Sequence, residues 1–186
     1  MTTDIPVTVI GGYLGAGKTT MVNHLLRHAA GRRIAILVNE FGDLPIDQDL
    51  IEAEGEDMIA ISGGCICCSF GSDLTAALIK LSELTPTPDH VVIEASGVAM
   101  PGTVALSISI LPGFVLSGVV VLADGERVQA QAEDDYIGDT ILRQLSDADV
   151  IVHSKTDLQP NDRAIEAVES WLQAMAPQAK IVPTVQ

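Results

Sequence analysis

Short apolar runs alternate with stretches of helical spacing from one end of the chain to the other. Residues 5–10 form a first apolar run that leads into a glycine-rich turn. Met21, Val22, Leu25, Leu26 and Ala29 then recur at helical spacing, which predicts a helix over 18–30. Residues 34–38 read as a second buried strand, followed by an acidic loop over 39–49, and 58–61 as a short strand leading into the cysteines. Leu74, Ala77, Leu78 and Leu81 mark another helix, and Pro86 and Pro88 end that segment. Strands follow at 90–94 and 118–123, then a helix through Ile137, Ile141 and Leu145, and a strand at 150–153. Ile165, Val168, Leu172 and Met175 give a helix with Asn161 as its candidate cap, and 180–182 closes as a final strand. This βαβα order predicts an α/β fold with a mostly parallel central sheet, helices on its flanks and right-handed crossovers.

Composition sharpens that picture. Apolar residues make up 47% of the 186, yet aromatics only 3%, so Val, Ile, Leu and Ala must fill the core. That filling suits a parallel sheet covered on both faces. The length fits one domain over residues 1–186. A formal charge of −15 argues against nucleic acid or an anionic membrane as partner, because both require a positive surface. No apolar run approaches the ~20 residues that cross a bilayer, and the N-terminus lacks a signal-peptide pattern. A cytoplasmic location is expected.

The strongest motif runs from Gly12 to Thr19, Gly-Tyr-Leu-Gly-Ala-Gly-Lys-Thr, which satisfies the P-loop pattern between a strand and a helix. Gly15 and Gly17 let the backbone curl so that N–H groups point at phosphate oxygens. Lys18 would reach the β- and γ-phosphates, and Thr19 would present its hydroxyl to Mg2+. The phosphate-binding set is therefore Gly12, Gly15, Ala16, Gly17, Lys18, Thr19 and Thr20, on a P-loop NTPase fold. A chance glycine turn would not share this setting.

A second motif, Ser154-Lys155-Thr156-Asp157, follows a predicted strand at the end where open α/β sheets bind ligands. GTPases commonly carry Asn-Lys-x-Asp there. The carboxylate of Asp157 would accept from N1–H and the exocyclic amine of guanine, while the Lys155 stem lies over the base. Adenine offers neither donor in that arrangement. Ser154 stands where the Asn would be and loses a contact. A solvated strand-end Lys and Asp is the plainer alternative, which the P-loop upstream disfavours.

Cys65, Cys67 and Cys68 follow two glycines and are the only cysteines in the chain. If that stretch is extended, Cys65 and Cys67 project to one face and Cys68 to the other. Two such thiolates can share a thiophilic ion whose shell another residue completes. An open, exchangeable site follows more naturally than a structural zinc. A redox pair with a spare thiol and simple packing are the rival readings, with packing last because it predicts scattered cysteines. His24 and His28, four apart on the first helix, read as ordinary exposed histidines.

Taken in order, the segments at 9–20, Asn39-Glu40-Phe41-Gly42 with Ile46-Asp47, Gly64-Cys-Ile-Cys-Cys68, Glu94-Ala-Ser-Gly97 and Ser154-Lys-Thr-Asp157 resemble the CobW family. That family groups with the HypB and UreG metal-insertion GTPases, and the resemblance is to its N-terminal GTPase domain. It implies that Glu94 acts near Mg2+ through water and that Gly97 senses the γ-phosphate. It also implies a switch segment in which Glu40, Asp43 or Asp47 orients the attacking water or assists metal binding. The implied metal set is Cys65, Cys67 and Cys68 with Glu40 for the cargo, and Thr19 for Mg2+. The implied cofactors are GTP or GDP, Mg2+, and Zn2+ or Co2+, and the implied partner is a client metalloprotein or metal-insertion enzyme. Such proteins usually continue into a smaller C-terminal domain, which this sequence is not expected to contain, and Pro45 falls inside the switch.

The reading that results is a Mg2+-dependent GTPase of the metallochaperone kind. A nucleotide-gated metal sensor or storage module with negligible turnover is the alternative, and an ATP-using kinase with a structural thiol site is a third.

Overall fold

The computed structural model describes residues 4–39, 58–63 and 72–185. Within them, seven strands form one sheet in the order β3-β2-β4-β1-β5-β6-β7, and every neighbouring pair is parallel. The strands are β1 Ile5–Gly12, β2 Ile34–Asn39, β3 Met58–Gly63, β4 His90–Glu94, β5 Phe114–Asp124, β6 Val150–Ser154 and β7 Lys180–Pro183. The helices are α1 Lys18–Arg27, α2 Ser72–Ser82, α3 Pro101–Ser109, α4 Val128–Ala132, α5 Gly138–Ser146 and α6 Asp162–Met175.

Strand parity sorts the core into two layers. Val7, Val9, Val91, Ile93, Val121 and Ile151 pack on one face, where α2, α3, α5 and α6 add Leu78, Ile108, Leu145 and Leu172. Ile10, Ile36, Val92, Leu122 and Val152 face the other way, against Val22 and Leu26 of α1. β4 and the carboxyl halves of β1 and β5 are buried on both faces, so they read as near-continuous apolar runs, whereas the edge strand β7 is largely exposed.

Every predicted element is present, with differences that have physical causes. The first helix stops at Arg27 rather than at residue 30, where Ala30 (φ 51°) and Gly31 (φ 78°) turn the chain left-handed. Ile137 precedes α5 instead of starting it. β5 begins at Phe114, four residues early, and its register with β1 slips between Val7 and Thr8. The slip is a bulge, and the Asp149 carboxylate takes the Val119 N–H beside it at 2.7 Å. Asn161 caps α6 as expected, accepting from the Ala164 N–H at 3.1 Å.

Two helices were not expected. α3 is apolar nearly all round, which hides the helical period, although Pro101 at its first turn was a usable start signal. α4 spans five residues, too short for periodicity to register. No helix among the described residues is long and apolar enough to cross a membrane.

Candidate functional site

β1 sits mid-sheet, and the chain moves to one side for β2 to β4 and to the other for β5 to β7. That reversal opens a crevice at the carboxyl ends of β1 and β4, where α/β sheets bind ligands. The loop after β1 occupies it. Gly12, Gly15 and Gly17 all have positive φ, at 125°, 79° and 100°. Gly12 is the most constrained of them: a Cβ there would stand 2.5 Å from the Leu122 carbonyl oxygen. Any side chain would push the loop off β5.

Lys18 opens α1 and is only 8% exposed. Its Nζ donates to the carbonyls of Gly12 at 2.9 Å and Tyr13 at 3.3 Å, so the cation lies over its own loop. Burial lowers its pKa below the usual lysine value, and the nearby Glu94 carboxylate raises it. The Thr19 hydroxyl donates to Glu94 Oε1 at 3.0 Å. Register accounts for that meeting, because Glu94 ends β4 opposite Ile10 of β1. A buried carboxylate beside a hydroxyl is an oxygen donor set of the kind hard divalent cations select, so these residues fit Mg2+.

After Glu94 the chain makes a tight turn in which the Ala99 N–H donates to the Ser96 carbonyl at 2.9 Å. Gly97 lies so close to the phosphate loop that a Cβ would stand 2.6 Å from Leu14 Cδ2 and 2.9 Å from the Leu14 nitrogen. Gly97 is thus brought against the phosphate loop by packing, not by backbone conformation.

On the other side stands the Ser154–Asp157 segment. The Ser154 hydroxyl is buried and donates to the Ala16 carbonyl at 2.8 Å, with the Ala123 carbonyl at 3.2 Å. The bond to Ala16 ties this segment to the phosphate loop, a partner the motif itself did not indicate. Lys155 adopts the left-handed region (φ 59°), and its Nζ pairs with Asp124 Oδ2 at 2.6 Å. Asp157 is exposed, in the 3-10 turn Thr156–Leu158. Between this segment and α1 runs a groove of about 540 Å3, lined by Gly17, Thr20, Met21, Lys155, Thr184 and Val185 among others. That volume falls within the ~300–1,000 Å3 span of small-molecule sites. His24 also lines it and stacks on His28 with ring centroids 4.1 Å apart, which gives the first of these exposed histidines more than a plain surface setting.

Sequence reasoning missed Asp124, Met21, Thr184 and Val185. The carboxyl end of every strand borders the ligand crevice, so Asp124 at the end of β5 and Thr184 just past β7 carried a usable signal. Thr184 reaches the site because its N–H donates to the His153 carbonyl at 2.8 Å, while its own carbonyl accepts from the Thr156 N–H at 3.2 Å.

Glu40, Asp43, Asp47, Cys65, Cys67 and Cys68 lie outside the described residues. Their points of departure are described: Asn39 and Gly63, the last residues of β2 and β3, are register partners at the same end of the sheet as the phosphate loop. Among the described residues no group of three His, Cys, Asp or Glu side chains could hold a metal ion.

Sheet order, glycine loop and groove define a P-loop nucleotide-binding protein. A model of the CobW/HypB/UreG nucleotide-binding domain matches residues 6–183, and the chain belongs to that family, at family level one of P-loop GTPases. It is 38% identical over 182 residues to the zinc chaperone CobW of a Sinorhizobium species, covering 83% of this chain and 51% of that protein. It is 33% identical over 190 residues to zinc-regulated GTPase metalloprotein activator 1 of Schizosaccharomyces pombe, covering 97% and 46%. The crystal structure of the Zn(II)-bound YjiA GTPase of Escherichia coli superposes with a TM-score of 0.65 at 27% identity, over 97% of this chain and 57% of that one. HypB of Archaeoglobus fulgidus shares the fold, with a TM-score of 0.60 at 18% identity over 98% and 81% of the two chains. The chain spans about half the length of the curated relatives it matches.

Proposed function

We propose that this chain hydrolyses GTP in a Mg2+-dependent manner and couples the nucleotide state to binding and delivery of a thiophilic metal ion to a client protein. The observation that carries the reading is the convergence of Lys18, Thr19 and Glu94 at the phosphate loop, beside a nucleoside-sized groove flanked by Lys155. Lys18 and the loop N–H groups bind the β- and γ-phosphates. Thr19, with Glu94 through water, holds Mg2+, which when bound neutralises charge on the β- and γ-oxygens. Glu40, Asp43 or Asp47 orients the water that attacks the γ-phosphorus, and GDP and phosphate leave. Catalysis of this kind is positioning and charge stabilisation, with little covalent work for the protein. Asp157 reads guanine.

Cys65, Cys67 and Cys68, with Glu40, hold the cargo ion. The descriptions of the relatives support zinc; thiolate softness alone fits Zn2+ or Co2+. The pairing of Asn39 with Gly63 supports coupling, because the switch segment and the thiol segment leave adjacent strand ends. GTP turnover in Mg2+, with and without Zn2+, Co2+ and Ni2+, tests the whole reading. Slow GTP hydrolysis that responds to one of these ions is expected, with ATP a poor competitor. Tight metal binding without hydrolysis would make the protein a sensor or storage module, and equal competition by ATP would remove the guanine assignment.

A further inference from the structure

Gln144 is polar, sits on α5 and is only 1% exposed. Both hydrogens of its amide are committed to one short stretch of chain. Nε2 donates to the Gly97 carbonyl at 3.0 Å and to the Ala99 carbonyl at 2.8 Å, forty-seven and forty-five residues away. Those carbonyls belong to the turn whose other side presses on Leu14 of the phosphate loop. Gln144 also borders a small cavity that it shares with Tyr13 and Ala16 of that loop.

We propose that Gln144 is a positioning residue, which holds the Gly97 turn against the phosphate loop and thereby sets how strongly the site distinguishes a nucleoside triphosphate from a diphosphate. The inference rests on the GTPase reading above and assigns to it a residue in neither sequence motif. A trans peptide plane carries its C=O and N–H in opposite directions. Drawing the Gly97 carbonyl toward α5 therefore turns the Val98 N–H away from α5, and the same holds for Ala99 and Met100. With the carbonyl edge fixed, the turn cannot rotate without leaving two carbonyls unpaired in a dry interior, which is costly. The Gly97 backbone is then held in the narrow space beside Leu14. A leucine or methionine at 144 would fill the same volume but would release the turn. A purely structural glutamine would also satisfy the carbonyls, so the readout must separate folding from ligand discrimination.

Gln144→Met in the full chain provides that separation, with Ile141→Val as a control that perturbs the same helix and leaves the amide in place. Affinities for GDP and for a non-hydrolysable GTP analogue are measured in Mg2+, together with kcat and KM for GTP. The expected result is a fivefold to thirtyfold weaker analogue, about the effect of one or two ordinary hydrogen bonds, with GDP binding nearly unchanged and kcat reduced. Ile141→Val should keep the wild-type ratio of the two affinities. If Gln144→Met shifts both nucleotides equally, or neither, the glutamine is structural and the proposal is overturned. Should that variant not fold, Gln144→Asn keeps the amide on a shorter stem and is judged by the same ratio. A wild-type protein that binds no guanine nucleotide would instead refute the underlying GTPase reading, a distinct failure.

Discussion

The Ser154 hydroxyl donates to the Ala16 carbonyl at 2.8 Å, joining residues 138 positions apart in the chain. This bond ties the segment at the end of β6 to the back of the phosphate loop. Lys155 extends the tie toward β5 through Asp124, whose Oδ1 in turn accepts from the Glu126 N–H at 3.0 Å. The two motifs are therefore one connected unit, although they are distant in sequence.

Ser154→Ala should loosen that unit while touching no phosphate. The expected loss is one net hydrogen bond, about 1 kcal/mol, or roughly fivefold in affinity. The Ser154 hydroxyl bonds the Ala16 and Ala123 carbonyls and not the residues assigned to the γ-phosphate, so GTP and GDP should weaken alike. Isothermal titration of both nucleotides checks this, and a selective loss of GTP would contradict the strap role.

Asp157→Asn should weaken GTP and favour xanthosine triphosphate. The amide can still accept from N1–H, but its NH2 meets the guanine amino group, donor against donor. Xanthine carries a carbonyl at that place and restores the pair. Competition binding with the two triphosphates measures the switch, and undiminished GTP affinity would argue that Asp157 does not read the base.

Strands and phosphate loop were legible in the sequence because their causes are local. Val91, Val92 and Ile93 are consecutive and all buried, so β4 declares itself as an apolar run. The glycines and Lys18 are adjacent in sequence because one loop must wrap one phosphate group. α3 was hidden because Val104, Ala105 and Ile108 are buried while the equally apolar Leu106 is exposed, so hydrophobicity does not mark its buried face. Gln144 was silent for another reason, and Asp124 and Thr184 carried only the general signal of strand-end position, not their partners. Each acquires its position from partners dozens of residues away, and no local pattern records such a contact.

Stability should fall as pH drops below neutrality, with His153 as one identifiable source. His153 is fully buried on β6 with Glu169 at 3.6 Å. Burial lowers its pKa, while Glu169 and then Asp124 pull it upward. His90 is lowered too, by burial and by Arg32. In the unfolded chain both return to about 6.5. Between the lowered folded value and about 6.5 the unfolded state binds more protons, so stability increases with pH across that window. The contribution is complete above about 6.5 and is lost as pH falls toward the folded value. Urea unfolding of the wild type and of His153→Gln at about pH 7.5 and about pH 5.5 isolates the term. The variant should lose less stability on acidification, and equal losses would exclude His153.

The last prediction concerns coupling, on which the metallochaperone reading depends. Asn39 and Gly63 are paired at the sheet end that carries the phosphate loop, and the switch and thiol segments begin immediately after them. If the GTP-bound switch supplies or orders a metal ligand, GTP must raise metal affinity relative to GDP. Linkage then requires the metal to favour GTP over GDP by the same factor, commonly ~5–150-fold for coupled sites. Thiolate ligation also releases protons, so metal affinity should fall as pH drops toward about 6. A Cys65→Ser, Cys67→Ser double variant should lose both metal and coupling while still binding GTP, since neither residue belongs to the phosphate loop. The measurement titrates Zn2+ or Co2+ against a competing chelator in Mg2+, first with GDP and then with a non-hydrolysable GTP analogue. Equal metal affinities in the two nucleotide states would leave a GTPase with an independent thiol site, and delivery driven by GTP hydrolysis would have no thermodynamic basis.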